Sequence, residues 1–334
     1  MKEWLQKTGQ KGTVRFYGTP AEEGGAGKVY MVKAGLFDDV DAVLHWHPGN
    51  GNSANASSSL ANKSAKFRFY GQAAHAAGAP ERGRSALDGV EALNYMVNLM
   101  REHVPSDARI HYVITKGGEA PNVVPAFAEV FYYTRHPEMK EVRSIFSRVV
   151  EAAEGAAKGT GTKMEYEVIH GLYNVLPNET LSRMMHQNLE MVGGVDYNAE
   201  ELAFAKKIMA TYETKATLQN AKEVQPFQIF RKGRGGSTDV GDVSWAVPTA
   251  GMSSATWVPG TGAHSWQAVA AGGMSIGKKG MMVAAKTIAL TAIDIFKDPS
   301  VTVKAKMELN DSRGSDFVYK SLLGDRKPPL DYRK

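Results

Sequence analysis

Between residues 65 and 70 the chain alternates, with Ala65, Phe67 and Phe69 set against Lys66, Arg68 and Tyr70. That period of two is the mark of a strand with one wet face. From residue 84 the period lengthens: Leu87, Val90, Leu93, Val97 and Met100 recur at helical spacing as far as residue 103. Two further strands are predicted over 110–115 and 126–134. A second helix follows, marked by Met139, Val142, Ile145, Phe146 and Val149 and stopped at Gly159-Thr-Gly. Met164, Tyr166 and Val168 alternate in a last strand. The order β-α-β-β-α-β predicts a ferredoxin-like α+β sheet with its helices on one face. We read residues 64–170 as this module, inserted between two pieces, 1–63 and 171–334, of an α/β domain.

The flanking pieces carry shorter signals. Residues 1–10 read as the end of a helix with Gly9 as its stop. The β-branched and aromatic run 14–17 predicts a strand, ended by Gly18, Thr19 and Pro20 because proline offers no amide proton to a neighbour. A helix is expected over 28–34, with Gly35 ending it. A short apolar strand over 42–44 runs into His45-Trp46-His47-Pro48, and the Gly/Ser/Asn-rich segment 49–64 reads as a linker. Beyond residue 171, Asn178 can cap a helix over 179–192, and 199–211 is rich in helix formers. Gly233 to Gly236 form a flexible cluster. A strand over 247–251 precedes a glycine turn at 260–262, a long helix covers 278–296, and the mixed tail from Val301 gives no reading.

Composition narrows the class. A chain of 334 residues can hold two domains, and 43% hydrophobic with 22% charged residues is ordinary for a soluble globular protein. The net charge of +5 is spread along the chain, which points to solubility and anionic substrates rather than nucleic acid. The absence of cysteine excludes disulfides and thiolate metal sites and fits a reducing compartment. No secretory signal pattern is visible, and the longest apolar run, 280–296, is interrupted by Lys286 and Asp294. The expectation is a cytoplasmic protein with no nucleic-acid or membrane partner.

The chemistry concentrates on loops. Glu22 and Glu23 follow the expected strand at once, where open α/β sheets hold ligands, and adjacent like charges in a cleft call for a cation or a shared proton. An exposed acidic turn is the plain alternative. Glu23, His47 and His264 are candidate metal ligands, and carboxylate plus imidazole donors suit Zn, Mn or a similar divalent ion. If Glu23 binds the metal, Glu22 is free to take a proton from an activated water, which is hydrolase chemistry. Asp239 and Asp242 either support such a site or cap a following helix.

Four separated stretches resemble the motifs of one family: Thr19-Pro-Ala-Glu-Glu-Gly-Gly-Ala, Gly71-Gln-Ala-Ala-His-Ala-Ala-Gly-Ala-Pro, Pro121-Asn-Val-Val-Pro and Gly262-Ala-His-Ser. The chain looks like a member of the metal-dependent aminoacylase/carboxypeptidase family, in its amidohydrolase branch. The resemblance implies a metallopeptidase-type catalytic domain with an inserted lid and dimerisation domain. It implies Glu22 as general base, with Glu23, His47 (rather than His45) and His264 as ligands of Mn or Zn. It also implies His75 as a lid histidine that polarises the scissile carbonyl across a dimer, and Asn122 and Arg135 as contacts to a substrate carboxylate. Tyr133 stands where the family usually has an Asp, two residues before Arg135. The implied substrate is a small amide next to a carboxylate, such as p-aminobenzoyl-glutamate or an N-acyl amino acid. The implied partner is a second copy or a related subunit, held through the lid. The family's first metal motif, a His or Cys with a nearby acid, should precede Glu22, yet residues 1–21 hold no His, Cys or Asp. The expectation is therefore an amino-terminally truncated member, either still hydrolytic or a non-catalytic dimerising remnant.

Overall fold

Hydrophobic periodicity translates directly into a layered lid. The computed structural model describes residues 1–233 and 235–330. Its first segment holds α1 (Lys2–Thr8), the single turn α2 (Glu22–Gly25), α3 (Gly27–Lys33), β1 (Val43–Gly49) and β2 (Ala56–Ser57). The lid follows as β3 (Ala61–Tyr70), α4 (Ala86–Met100), β4 (Arg109–Lys116), β5 (Phe127–His136), α5 (Met139–Thr160) and β6 (Lys163–Leu172). The remainder comprises α6 (Glu179–Val192), α7 (Ala199–Met209), β7 (Ile229–Phe230), α8 (Val240–Ala246), β8 (Thr249–Ala255), α9 (Trp266–Gly272), α10 (Ser275–Lys297) and α11 (Ser300–Arg313).

The four lid strands pair antiparallel in the order β4-β5-β3-β6. Phe67 and Phe69 of β3 and Val130 and Tyr132 of β5 point into one core. Val90, Leu93 and Val97 of α4 and Ile145 and Val149 of α5 close it from above. Gly89 permits that closeness, because a Cβ there would run into the Phe69 ring. On the opposite face Arg68 bridges Glu129 (2.7 Å) and Glu167 (2.8 Å), so the wet side of the sheet is laced by charge.

Around the lid, β1 and β8 form a parallel pair with His45 opposite Gly251 and His47 opposite Ser253. Helices α6 and α10 cover it through Leu181, Met185, Leu189, Val283 and Ala284. Asn178 caps α6 through Leu181 N (3.1 Å), and Asn198 forms a reciprocal capping box with Glu201 on α7. No helix among the described residues is long and apolar enough to cross a membrane.

Several expectations are corrected. Residues 14–17 form no strand: Phe16 is 97% exposed, and side chains fix the segment instead. Arg15 pairs with Asp39, while Tyr17 rests on Phe37 (ring centroids 5.0 Å) and donates to Leu36 O (2.7 Å). The acids Glu22 and Glu23 therefore follow an irregular segment, not a strand. His45 and His47 lie within β1 rather than beyond it. The supposed linker 49–64 contains β2 and the start of β3, and its polar residues hydrogen-bond internally. Buried Asn52 donates to Ala221 O (2.8 Å) and accepts from Ala255 N (2.9 Å). The unread tail forms α11 and then a strap that buries Leu322 and Leu323. Helix α8, just before β8, is the following helix named as the alternative use of Asp239 and Asp242, although no range was read for it. Arg234 in the glycine cluster and residues 331–334 of the tail lie outside the described residues.

Candidate active site

The acidic pair sits on a turn held in an unusual backbone conformation. Ala21 (φ 63°) and Ala26 (φ 53°) flank it in the left-handed region, with Gly24 (φ 112°) between them. A left-handed alanine costs about 1–2 kcal/mol, so the surroundings must over-determine this turn. Part of that support is local, since Gly25 N donates to Ala21 O (2.9 Å). Gly27 is required next, because a Cβ would collide with Pro20 O. Asp239, fully buried, then accepts from both the backbone N and the Nζ of Lys28, each at 2.9 Å. Asp239 occupies the N-cap position of α8 but makes no capping bond; its carboxylate holds the start of α3 instead.

His264 also has positive φ (58°), the third such non-glycine position among the described residues, on the turn before α9. Its Nε2 lies 3.8 Å from Glu23 Oε1, bringing together two residues far apart in the chain. Both side chains are open to solvent, His264 at 77% and Glu23 at 63%, so the attraction itself adds little stability. Asn50 Nδ2 donates to Thr261 O (2.7 Å), tying the end of β1 to the same turn.

His47 and His45 are two residues apart on one strand and share a face. Both line a cavity of about 240 Å³ with Ser53, Asn55, Ser57 and Ser253. His47 Nδ1 lies 2.6 Å from Pro48 O, an acceptor only, so Nδ1 carries a proton there and Nε2 is the nitrogen left to act as a ligand. His45 packs over Gly251, where a Cβ would strike its ring. Burial, reinforced by the Lys28 charge, pushes its imidazole down to about 4, so it stays neutral.

On the lid, His75 and Asn122 are neighbours across a two-stranded contact: His75 bridges Val123, and Ala76 N donates to Asn122 O (3.0 Å). His75 Nδ1 accepts from Ala77 N (3.2 Å) and Gly78 N (3.0 Å), leaving the proton on Nε2, where it can be donated outward. Arg135 on β5 lies over the Tyr133 ring at 5.3 Å, and its buried Nε has no hydrogen-bond partner among the described residues.

The structure thus brings Glu23 and His264 together, and His75 beside Asn122. Among the described residues, no three His, Cys, Asp or Glu side chains gather closely enough to hold a metal ion. Glu23 and His264 alone do not complete a metal site, and the chemistry assignable to this chain is that of its own acids, bases and donors. Two residues stand out beyond these: His170, which sequence reasoning passed over, and Asp242, which it named only as a supporting acid or a helix cap. His170 on β6 reaches Gly24 O with Nε2 (2.8 Å), and burial pushes its imidazole down. Asp242 accepts from Tyr173 N (2.9 Å) and Tyr319 OH (2.6 Å), and burial pushes its carboxyl up to about 7. The neighbouring glycine of His170 had marked only a module boundary.

An α/β body carrying a ferredoxin-like lid, with an acid–histidine pair on strained turns, is the metallopeptidase-type arrangement. Residues 61–161 match the peptidase dimerisation domain of M20 proteins. Over 333 residues the chain is 44% identical to one of the subunits of p-aminobenzoyl-glutamate hydrolase from Escherichia coli, covering 92% of this chain and 69% of that protein. The crystal structure of an aminobenzoyl-glutamate utilization protein from Klebsiella pneumoniae superposes with a TM-score of 0.59 at 22% identity, covering 82% of this chain and 60% of the other. The YXEP protein of Bacillus subtilis, a dinuclear metal binding peptidase from the M20 family, gives 0.54 at 17% identity, over 89% and 69%. The chain belongs to the M20 family of amidohydrolases, a family that also includes that dinuclear metal binding peptidase.

Proposed function

We propose that this chain is a subunit of an amidohydrolase that cleaves an amide next to a carboxylate, of the p-aminobenzoyl-glutamate or N-acyl amino acid kind. The observation that carries this reading is the approach of His264 Nε2 to Glu23 Oε1 at 3.8 Å, on two turns held in left-handed conformations. Glu22, beside that pair, takes a proton from the attacking water and returns it to the departing amine as the C–N bond breaks. His75 donates its Nε2 proton to the carbonyl oxygen as negative charge develops there. Arg135 and Asn122 hold the substrate carboxylate, a planar guanidinium being suited to that group. Residues 64–170 form the lid, through which the chain pairs with a second copy or a related subunit. Manganese or zinc suits the oxygen and imidazole donors, with His47 as a further ligand, and a complete site needs donors beyond the Glu23–His264 pair.

A second reading has its own support. With no group of three donors among the described residues, the chain on its own is a lid-bearing, dimerising subunit without turnover. Hydrolysis of p-aminobenzoyl-glutamate by the purified chain, with manganese or zinc, separates the two. Turnover that falls at least about a hundredfold in Glu22→Gln supports the first reading. No turnover from soluble, folded protein supports the second.

A further inference from the structure

We infer that His170 is a positioning residue that fixes the Glu22–Gly25 turn from the lid side. The inference rests on the hydrolase reading for its catalytic consequence, though not for its geometry. Gly24 O can only accept, so His170 Nε2, 2.8 Å away, must carry the proton. In the neutral ring Nδ1 is then an acceptor, and two hydroxyls supply it: Ser64 Oγ at 2.9 Å and Tyr133 OH at 3.1 Å. Ser64 Oγ also accepts from His170 N at 3.0 Å, so this buried hydroxyl uses both its roles on one residue.

The three partners come from three adjacent strands, Ser64 on β3, Tyr133 on β5 and His170 on β6. The ladder between β3 and β6 slips here: Ser64 faces His170, while Ala65 faces Val168, leaving Ile169 as the extra residue. A bulge bends its strand and re-aims side chains. Here it sits beside the histidine that reaches out of the sheet to the acidic turn. The carbonyl it holds belongs to the residue directly after Glu23, between two left-handed alanines. One hydrogen bond offsets a substantial part of the cost of such a turn. Tyr133 therefore has a use at a position where the motif leads one to expect an Asp: it orients the imidazole rather than a substrate or metal. Through Gly24, the lid sheet and the orientation of Glu22 and Glu23 are mechanically joined.

The test is amide exchange at Gly25, whose N–H closes the turn onto Ala21 O, read by NMR on the substrate-free chain. His170→Phe should speed that exchange about tenfold, the equilibrium weight of one hydrogen bond. His170→Gln, whose amide N–H can reach the same carbonyl, should stay within about twofold of the parent, and His170→Asn, too short, should follow Phe. If Phe fails to fold, the Gln–Asn contrast decides. In the hydrolysis assay Phe should lower kcat more than it moves KM, and Gln should restore it. Unchanged Gly25 exchange in folded His170→Phe, or equal exchange in Gln and Asn, would overturn the inference. Altered exchange in a chain without turnover would uphold it and count against the hydrolase reading alone.

Discussion

Asp242 gives the chain an inverted pH dependence. Its side chain is fully buried on α8, and the nearby Asp239 adds like charge to the cost of desolvation. Together these raise the carboxyl from 3.8 to about 7 despite bonds from Tyr319 OH and Tyr173 N. Between those two values the folded chain holds a proton that the unfolded chain has released. Folding stability therefore falls as pH rises from about 4 to about 7, at roughly 1.4 kcal/mol per pH unit, and is level above. The whole span is about 4 kcal/mol. Asp242→Asn removes this slope without orphaning either neighbour, because its oxygen can accept from Tyr173 N while the Tyr319 hydroxyl turns to accept from the amide. Urea unfolding at a series of pH values, followed by fluorescence of Trp245, reads the difference. That indole donates to Asn174 O (2.8 Å) and packs edge-on against Tyr173. The variant should gain on the parent steadily with pH up to about 7. Parallel stability profiles for the two proteins would refute a protonated, buried Asp242.

Three further outcomes are expected. Phe67→Ala, which empties the centre of the lid core, should cost about 3–5 kcal/mol by urea unfolding. Asp239→Ala leaves Lys28, whose side chain is only 13% exposed, without its carboxylate, and should destabilise by about 3–5 kcal/mol while loosening the acidic turn in hydrogen exchange. Glu23→Gln and His264→Ala should each weaken manganese or zinc binding, measured by calorimetry, by at least about tenfold. Unchanged affinity in both would place the ion on other residues.

The lid was legible because its signals are redundant. Alternation in β3, the heptad-like spacing on α4 and α5 and the glycine stop at Gly161 (φ 65°) all specify the same layer. The body was less so, because its strands β1 and β8 pair across two hundred residues and no local pattern records that. Residues 14–17 show the limit of propensity: a β-branched, aromatic run needs a neighbouring backbone, and without one its side chains pack singly. The Gly/Ser/Asn composition of 49–64 misled for the opposite reason. Asn52 and Ser58 there are buried and act as hydrogen-bond partners for distant segments, Ser58 Oγ donating to Val175 O at 2.7 Å.

The candidate site was legible as residue types and not as a network. Glu23 and His264 were named from their loops, and the left-handed φ of His264 and of both alanines could be known only from coordinates. The junction behind the acidic turn draws on a segment that sequence left silent. The tail after α11 lays Phe317 against Trp245 of the body (4.9 Å). Lys320 O then accepts from Tyr173 OH (2.6 Å) and from Arg143 of the lid helix α5. Gly171 leaves no room for a Cβ against Leu322, so the strap crosses where the lid strand β6 returns to the body. The same strand carries His170 to Gly24 O. Strap and histidine thus fix one junction from two sides, and displacing the lid would strain both the bonds of Lys320 and the turn that presents Glu22.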